Sequence, residues 1–169
     1  MPSLESGLRV RKETIEVELV LSGAAPRRVE MFLAEHGSHG FSRESVLELL
    51  ENGGCFLPVR DVESGTWEVI NSRIFVWLEM SRNSADSDDM DIDLYDHRRL
   101  VRVTLLGGVT LEGEILYSAP EGSARVLDVM NRRERILRLW SGDRVFLLNK
   151  EFVLRVVEGT VPREESACR

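Results

Sequence analysis

Cysteine, histidine and tyrosine are scarce in this chain, at 2, 3 and 2 of its 169 residues. The two cysteines, Cys55 and Cys168, form no disulfide framework and no metal-ligand spacing. His36, His39 and His97 are the only histidines, which is thin material for acid–base work or for a zinc site. There is no Ser-His-Asp set, phosphate loop, dinucleotide fingerprint or zinc-hydrolase helix. No apolar run approaches the ~18 residues of a membrane helix, and Met1-Pro2-Ser3-Leu4-Glu5 starts no signal peptide. The expectation is a protein of a reducing bacterial cytoplasm that is not an enzyme, takes no cofactor or metal and has no membrane partner.

What is present is ordinary globular material, 43% hydrophobic and 30% charged, with a formal net charge of −7. The charge is uneven. Residues 1–96 hold 9 Lys/Arg against 19 Asp/Glu, whereas residues 97–158 hold 11 against 8. The first part should repel nucleic acid and the second can tolerate it. The asymmetry equally suits attraction between the two parts, within one molecule or between molecules. DNA is not an expected partner.

The strongest pattern is internal. Val46-Leu47-Glu48-Leu49-Leu50 ahead of Phe56-Leu57-x-Val59 recurs as Val126-Leu127-Asp128-Val129-Met130 ahead of Ile136-Leu137-x-Leu139, at an offset of 80. Upstream, Val17-x-Leu19-x-Leu21-x-Gly23 matches Val101-x-Val103-x-Leu105-x-Gly107 at an offset of 84. Downstream, Ile70-Asn71-x-x-Ile74-Phe75-Val76-x-Leu78 matches Leu148-Asn149-x-x-Phe152-Val153-Leu154-x-Val156 at an offset of 78. The recurrence predicts one small fold used twice. A unit of roughly 65 residues buries only about 60% of its extended-chain surface and is marginal alone. The copies are therefore expected to pack on each other or share a core.

Apolar patterning between turn residues, with clear alternation over 14–21, predicts strands over 14–21, 28–34, 55–60, 67–71 and 73–80. A short helix over 43–52 is expected to be capped by Ser42 and ended by Gly53-Gly54. The second copy repeats the order, with strands over 100–106, 110–117, 135–140, 145–148 and 151–157 and a helical turn over 124–131. The expected division is a first repeat at 13–80, an acidic flexible linker at 81–96, a second repeat at 97–158 and a disordered tail at 159–169. The linker is no calcium loop: one begun at Asp89 needs glycine and glutamate where Leu94 and Leu100 stand.

One strand departs from alternation. Ile74-Phe75-Val76-Trp77-Leu78 is apolar on both faces, which predicts burial on both. Phe75 and Trp77, which correspond to Val153 and Arg155, are expected to pack on the other copy, on a second molecule or on a partner. With Trp140 they are the candidate interaction residues. Asn71 and Asn149 occupy equivalent positions and read as turn residues that tolerate left-handed geometry. Arg125, Arg132, Arg133, Arg135 and Arg138, beside Trp140, form the one basic cluster near an aromatic, and pairing with acids of the first copy is its expected use.

The second copy resembles the Sm-like family of small β-barrels. The run from Val101 to Ile115, with Gly107 at its turn and Gly113 where the next strand bends, is similar to that family's opening two strands. Asp128-Val129-Met130-Asn131 is similar to its Asp-x-Met-Asn, and Leu148 to Leu154 sits where its second segment lies. The resemblance implies a mainly β fold of two tandem five-stranded Sm-like or SH3-like small barrels, each with one short helix. It also implies an RNA-base pocket at Asp128, Asn131 and Asn149; beside it, Arg132 and Arg133 of the basic cluster are the candidates for phosphate contact.

Two readings of function follow. The first is a non-catalytic binding or assembly module that acts through strand edges and the Phe75/Trp77 face, on itself or on another protein. The second is RNA binding through the second copy.

Overall fold

The computed structural model describes residues 12–35, 43–84, 95–120, 122 and 125–159. The first half comprises β1 (Lys12–Leu21), β2 (Arg27–Ala34), α1 (Val46–Asn52), β3 (Phe56–Asp61), β4 (Trp67–Asn71) and β5 (Phe75–Ser81). The second comprises β6 (His97–Leu105), β7 (Thr110–Tyr117), α2 (Val126–Met130), β8 (Ile136–Ser141), β9 (Arg144–Asn149) and β10 (Val153–Glu158), with a 3-10 turn, Lys150–Phe152, before β10.

Period-two patterning makes strands such as β1 and β2, whereas β5 and β9 are apolar on both faces. In β1, Ile15, Val17 and Leu19 are buried while Glu16 faces solvent, and Val29, Met31 and Leu33 do the same in β2. Gly23 turns the chain between them at φ +78°, a conformation that side-chain-bearing residues rarely adopt. The cap of α1 is Ser45. Its hydroxyl accepts the Glu48 N–H at 2.9 Å, and the Glu48 carboxylate accepts the Ser45 N–H at 3.0 Å. The expected cap, Ser42, lies outside the described residues; three positions on from it stands Ser45, which has no carboxylate to return the bond. In α2 the Asp128 carboxylate accepts the Arg125 N–H at 3.2 Å.

The mainly β expectation holds, but two separate barrels do not appear. All ten strands form one antiparallel sheet in the order β10-β6-β7-β8-β9-β5-β1-β2-β3-β4, and its ends do not meet. The halves share one internal order: fifth strand, first, second, third, fourth. The fifth strand of each half is bulged at the same place. Val76 is the extra residue between Val20↔Trp77 and Leu21↔Phe75, and Leu154 is the extra residue between Val153↔Leu105 and Arg155↔Thr104. What merges the halves is β5, whose free side pairs with β9 from Trp77↔Leu148 to Ser81↔Arg144.

Two apolar clusters fill the interior, and each borrows from the other half. The first, built on β1, β2 and α1, also takes Ile136, Trp140, Val145 and Leu147. The second, built on β6, β7 and α2, also takes Val76 and Trp77. Of the expected linker, Ser81 ends β5 and the Arg82 N–H donates to the Asp143 carbonyl at 2.8 Å. The run from Asp86 to Asp93 lies outside the described residues, as do residues 160–169.

Candidate functional site

Among the described residues the sheet has one internal joint and two unpaired edges. At the joint, Leu78 faces Leu147 and Met80 faces Val145, all buried, while Trp77 stands edge-on to Phe146 with ring centroids 6.0 Å apart. Polar groups seal it. The Asn149 amide donates to the carbonyls of Arg73 and Phe75, at 3.0 Å each, and its oxygen accepts the Glu151 N–H at 3.2 Å. The Arg135 guanidinium donates to the Ser72 carbonyl at 3.0 Å and to the Leu50 carbonyl at the end of α1. The Glu51 carboxylate accepts the Ile136 N–H at 2.7 Å, and Arg144 pairs with Glu79 at 3.2 Å.

The edges are β4 and β10. Bonds Asp61–Thr66 and Cys55–Ser72 set the phase of the β3–β4 ladder, so the N–H and C=O groups of Trp67 and Val69 point away from β3. On β10 the Gly159–Leu100 bond sets the phase, and Val156 and Glu158 point away from β6. These edges carry large apolar side chains in solvent: Val69, Phe56 and Trp67 are 69%, 64% and 62% exposed beside one edge, and Leu154 is 61% exposed on the other. Trp67 is held in place by stacking on Phe32, centroids 4.7 Å apart.

Titratable chemistry is sparse. A cleft of about 360 Å³ beside the joint, between Val20, Pro26, Val76, Trp77, Val109 and Phe152, has no titratable side chain in its lining. Burial pushes the Lys150 ammonium below its ordinary pKa; it donates to the carbonyls of Val129 and Arg132 at 3.2 Å each, where α2 ends. Among the described residues no three side chains form a metal-binding group. His97 sits against Tyr117 with Nε2 3.4 Å from the Ala119 carbonyl oxygen, while His36 and His39 lie outside the described residues. No described helix is long and apolar enough to cross a membrane.

The expected site residues go to several places. Phe75 and Trp77 are both buried inside the chain, Phe75 in the first cluster and Trp77 in the second. Of the packings expected for them, the structure has the one within the molecule, and the bulge at Val76 sends the two rings to different clusters. Trp140 is buried too, with Arg82 and Arg138 5.4 and 5.5 Å from its ring. Asn149 is fully buried with its amide turned into the joint, which removes it from any base pocket. It is no left-handed turn residue either, since among the described residues no non-glycine has positive φ. Asp128 caps α2, and Asn131 ends that helix in solvent. Arg132 donates to the Ser118 carbonyl at 2.7 Å and lies over Tyr117, and Arg133 is exposed. Arg135 reaches first-half carbonyls, not acids.

Phe56, Trp67, Val69 and Leu154 were not among the expected site residues. A signal was present: alternation in β4 puts Trp67 and Val69 on one face and Ile70 on the other, with no lysine or proline to protect the edge. Comparison with family models, curated proteins and solved structures finds no match.

Proposed function

We propose that this chain is a non-catalytic assembly module, a tandem pair of related Sm-like units, that acts through its two free strand edges. The observation that carries the reading is the apolar surface beside the edges, Phe56, Trp67 and Val69 at one and Leu154 and Val157 at the other. An unpaired strand is a template for another strand, and soluble proteins usually guard it with lysine, proline or inward charge. Here β4 has a single charged residue, Glu68, and that carboxylate is held by Arg27 at 2.7 Å.

The test places a photo-crosslinking residue at Val69 on the β4 edge, or at Val109, exposed in the turn between β6 and β7 and on neither edge strand. In extract of the native host, protein adducts at position 69 and few at position 109 are expected. Equal labelling at both positions would overturn the reading. Adducts removed by ribonuclease would transfer it to RNA.

A further inference from the structure

We infer that the occupant of these edges is a second copy of this chain, docked head to tail: β10 of one molecule adds to β4 of the next in the register that β9 and β5 use within the chain. The inference rests on the edge reading above and names its partner.

The joint is the template. It pairs the fifth strand of the first half, β5, with the fourth strand of the second, β9. The strands left unpaired among the described residues are the fourth of the first half, β4, and the fifth of the second, β10. They are the same two kinds of surface, one at each end of the sheet. Their backbone phase agrees with the joint. Leu78 and Met80 face Leu147 and Val145 across it; the corresponding Val156 and Glu158 face outward from β10, and the corresponding Val69 and Trp67 face outward from β4.

The side chains repeat the relation. Ile136, Val145 and Leu147 are buried in the first half's core, and their positional equivalents Phe56, Trp67 and Val69 are the exposed residues beside β4. Val76, the bulged residue of β5, is buried on the second half; its equivalent Leu154 is exposed. Leu47 of α1 packs against the first core, whereas its equivalent Leu127 is 64% exposed. Five of the apolar side chains packed in the two clusters thus have an apolar counterpart left bare at one end of the sheet.

Asn71 adds a polar observation. Its oxygen accepts the Arg73 N–H at 2.9 Å, as that of Asn149 accepts the Glu151 N–H two residues on. Asn149 then donates its amide across the joint, whereas the Asn71 amide meets no acceptor among the described residues. A neighbouring molecule in the joint's register brings its Glu151 and Val153 carbonyls to that amide. Charge agrees as well: the acidic first half of one chain meets the basic second half of the next. Arg60, Cys55 and Arg155 stand where the joint has Trp140, Arg135 and Trp77, which makes the contact between molecules more polar and more readily dissociated than the joint. A contact between unlike surfaces propagates, closing into a ring or extending as a filament.

The experiment is sedimentation velocity on the full chain and two edge-blocked variants, Val69→Pro and Val156→Pro. Each removes an outward N–H and leaves the inner ladder intact. Val69→Lys and Leu154→Lys serve if a proline lowers thermal stability. Expected are assemblies larger than two chains for the wild type, monomers for each blocked variant alone, and a two-chain complex, no larger, when the two are mixed. Asn71→Ala is expected to weaken association about tenfold, the effect of roughly 1.4 kcal/mol of lost hydrogen bonding. A wild type that stays monomeric at its highest soluble concentration would overturn the inference, as would blocked variants that fail to combine or an Asn71→Ala chain that associates normally. A singly blocked variant that dimerises with itself would overturn head-to-tail docking and leave the edge reading in place. Association untouched by either block would overturn both.

Discussion

The side-chain amide of Asn149 donates to the main-chain carbonyl of Phe75 at 3.0 Å, across the line where the two halves of the sheet meet. The same amide reaches the Arg73 carbonyl, and Asn149 is fully buried. Removing it takes this donor from the buried Phe75 carbonyl and from the part-buried Arg73 carbonyl. Asn149→Ala is therefore expected to lower stability by about 1–3 kcal/mol in urea denaturation. Asn71→Ala in the dissociated chain should cost clearly less, because that side chain is only half-buried and holds one backbone N–H. Equal losses would mean that Asn149 does no bridging.

Leu78 and Leu147 meet in register with no exposed surface. Truncating Leu147 to alanine opens a cavity at the joint and is expected to cost about 2–5 kcal/mol. Because both apolar clusters use side chains from both halves, the loss should appear as one unfolding transition of the whole chain. Intrinsic fluorescence follows it, since Trp77 and Trp140 are buried and Trp67 is at the far edge. Two separated transitions would show halves that fold on their own.

These residues also mark what the sequence could convey. Local pattern located every strand to within a few residues, alternation in strands such as β1 and β2 and a continuous apolar run in β5. The double-sided apolarity of Phe75 to Leu78 announced burial on both sides, and both sides are buried. What covers them was not legible, because strand pairing between residues some 70 positions apart leaves no local signature. Asn149 illustrates the limit: locally it resembles a turn residue, and its partners, Arg73 and Phe75, are distant in the chain. The edges were half legible. Aligning Ile136, Val145 and Leu147 with Phe56, Trp67 and Val69 shows conserved apolarity, but only the fold tells which set is covered and which is bare.

Gly113 lies where β7 meets β8, and their paired residues are Glu114 and Trp140. A Cβ at Gly113 would stand 2.3 Å from the Trp140 carbonyl oxygen and 2.9 Å from Leu139 Cγ. The neighbouring backbone would have to move, so Gly113→Ala is expected to cost about 1–3 kcal/mol. Thermal denaturation measures it. An unchanged midpoint would show that the two strands part easily there.

Lys150 gives the fold a pH dependence whose sign is fixed by burial. Desolvation lowers its pKa from the ordinary 10.5, and Arg132 adds to the effect while Glu134 and Glu51 oppose it. With the folded pKa below the unfolded one, the folded state binds fewer protons in the interval between them. The penalty for holding the charged ammonium is thus fully present well below the folded pKa, shrinks as pH rises through it, and is gone above 10.5. The wild type should gain stability over Lys150→Met as pH rises from neutral toward 10.5, on top of a constant offset from the lost bonds to Val129 and Arg132. Paired denaturation curves across that range isolate the group, because Lys12 is the only other lysine and is common to both proteins. A difference that stays flat with pH, or that falls, would show that the ammonium is as well solvated in the fold as in the unfolded chain.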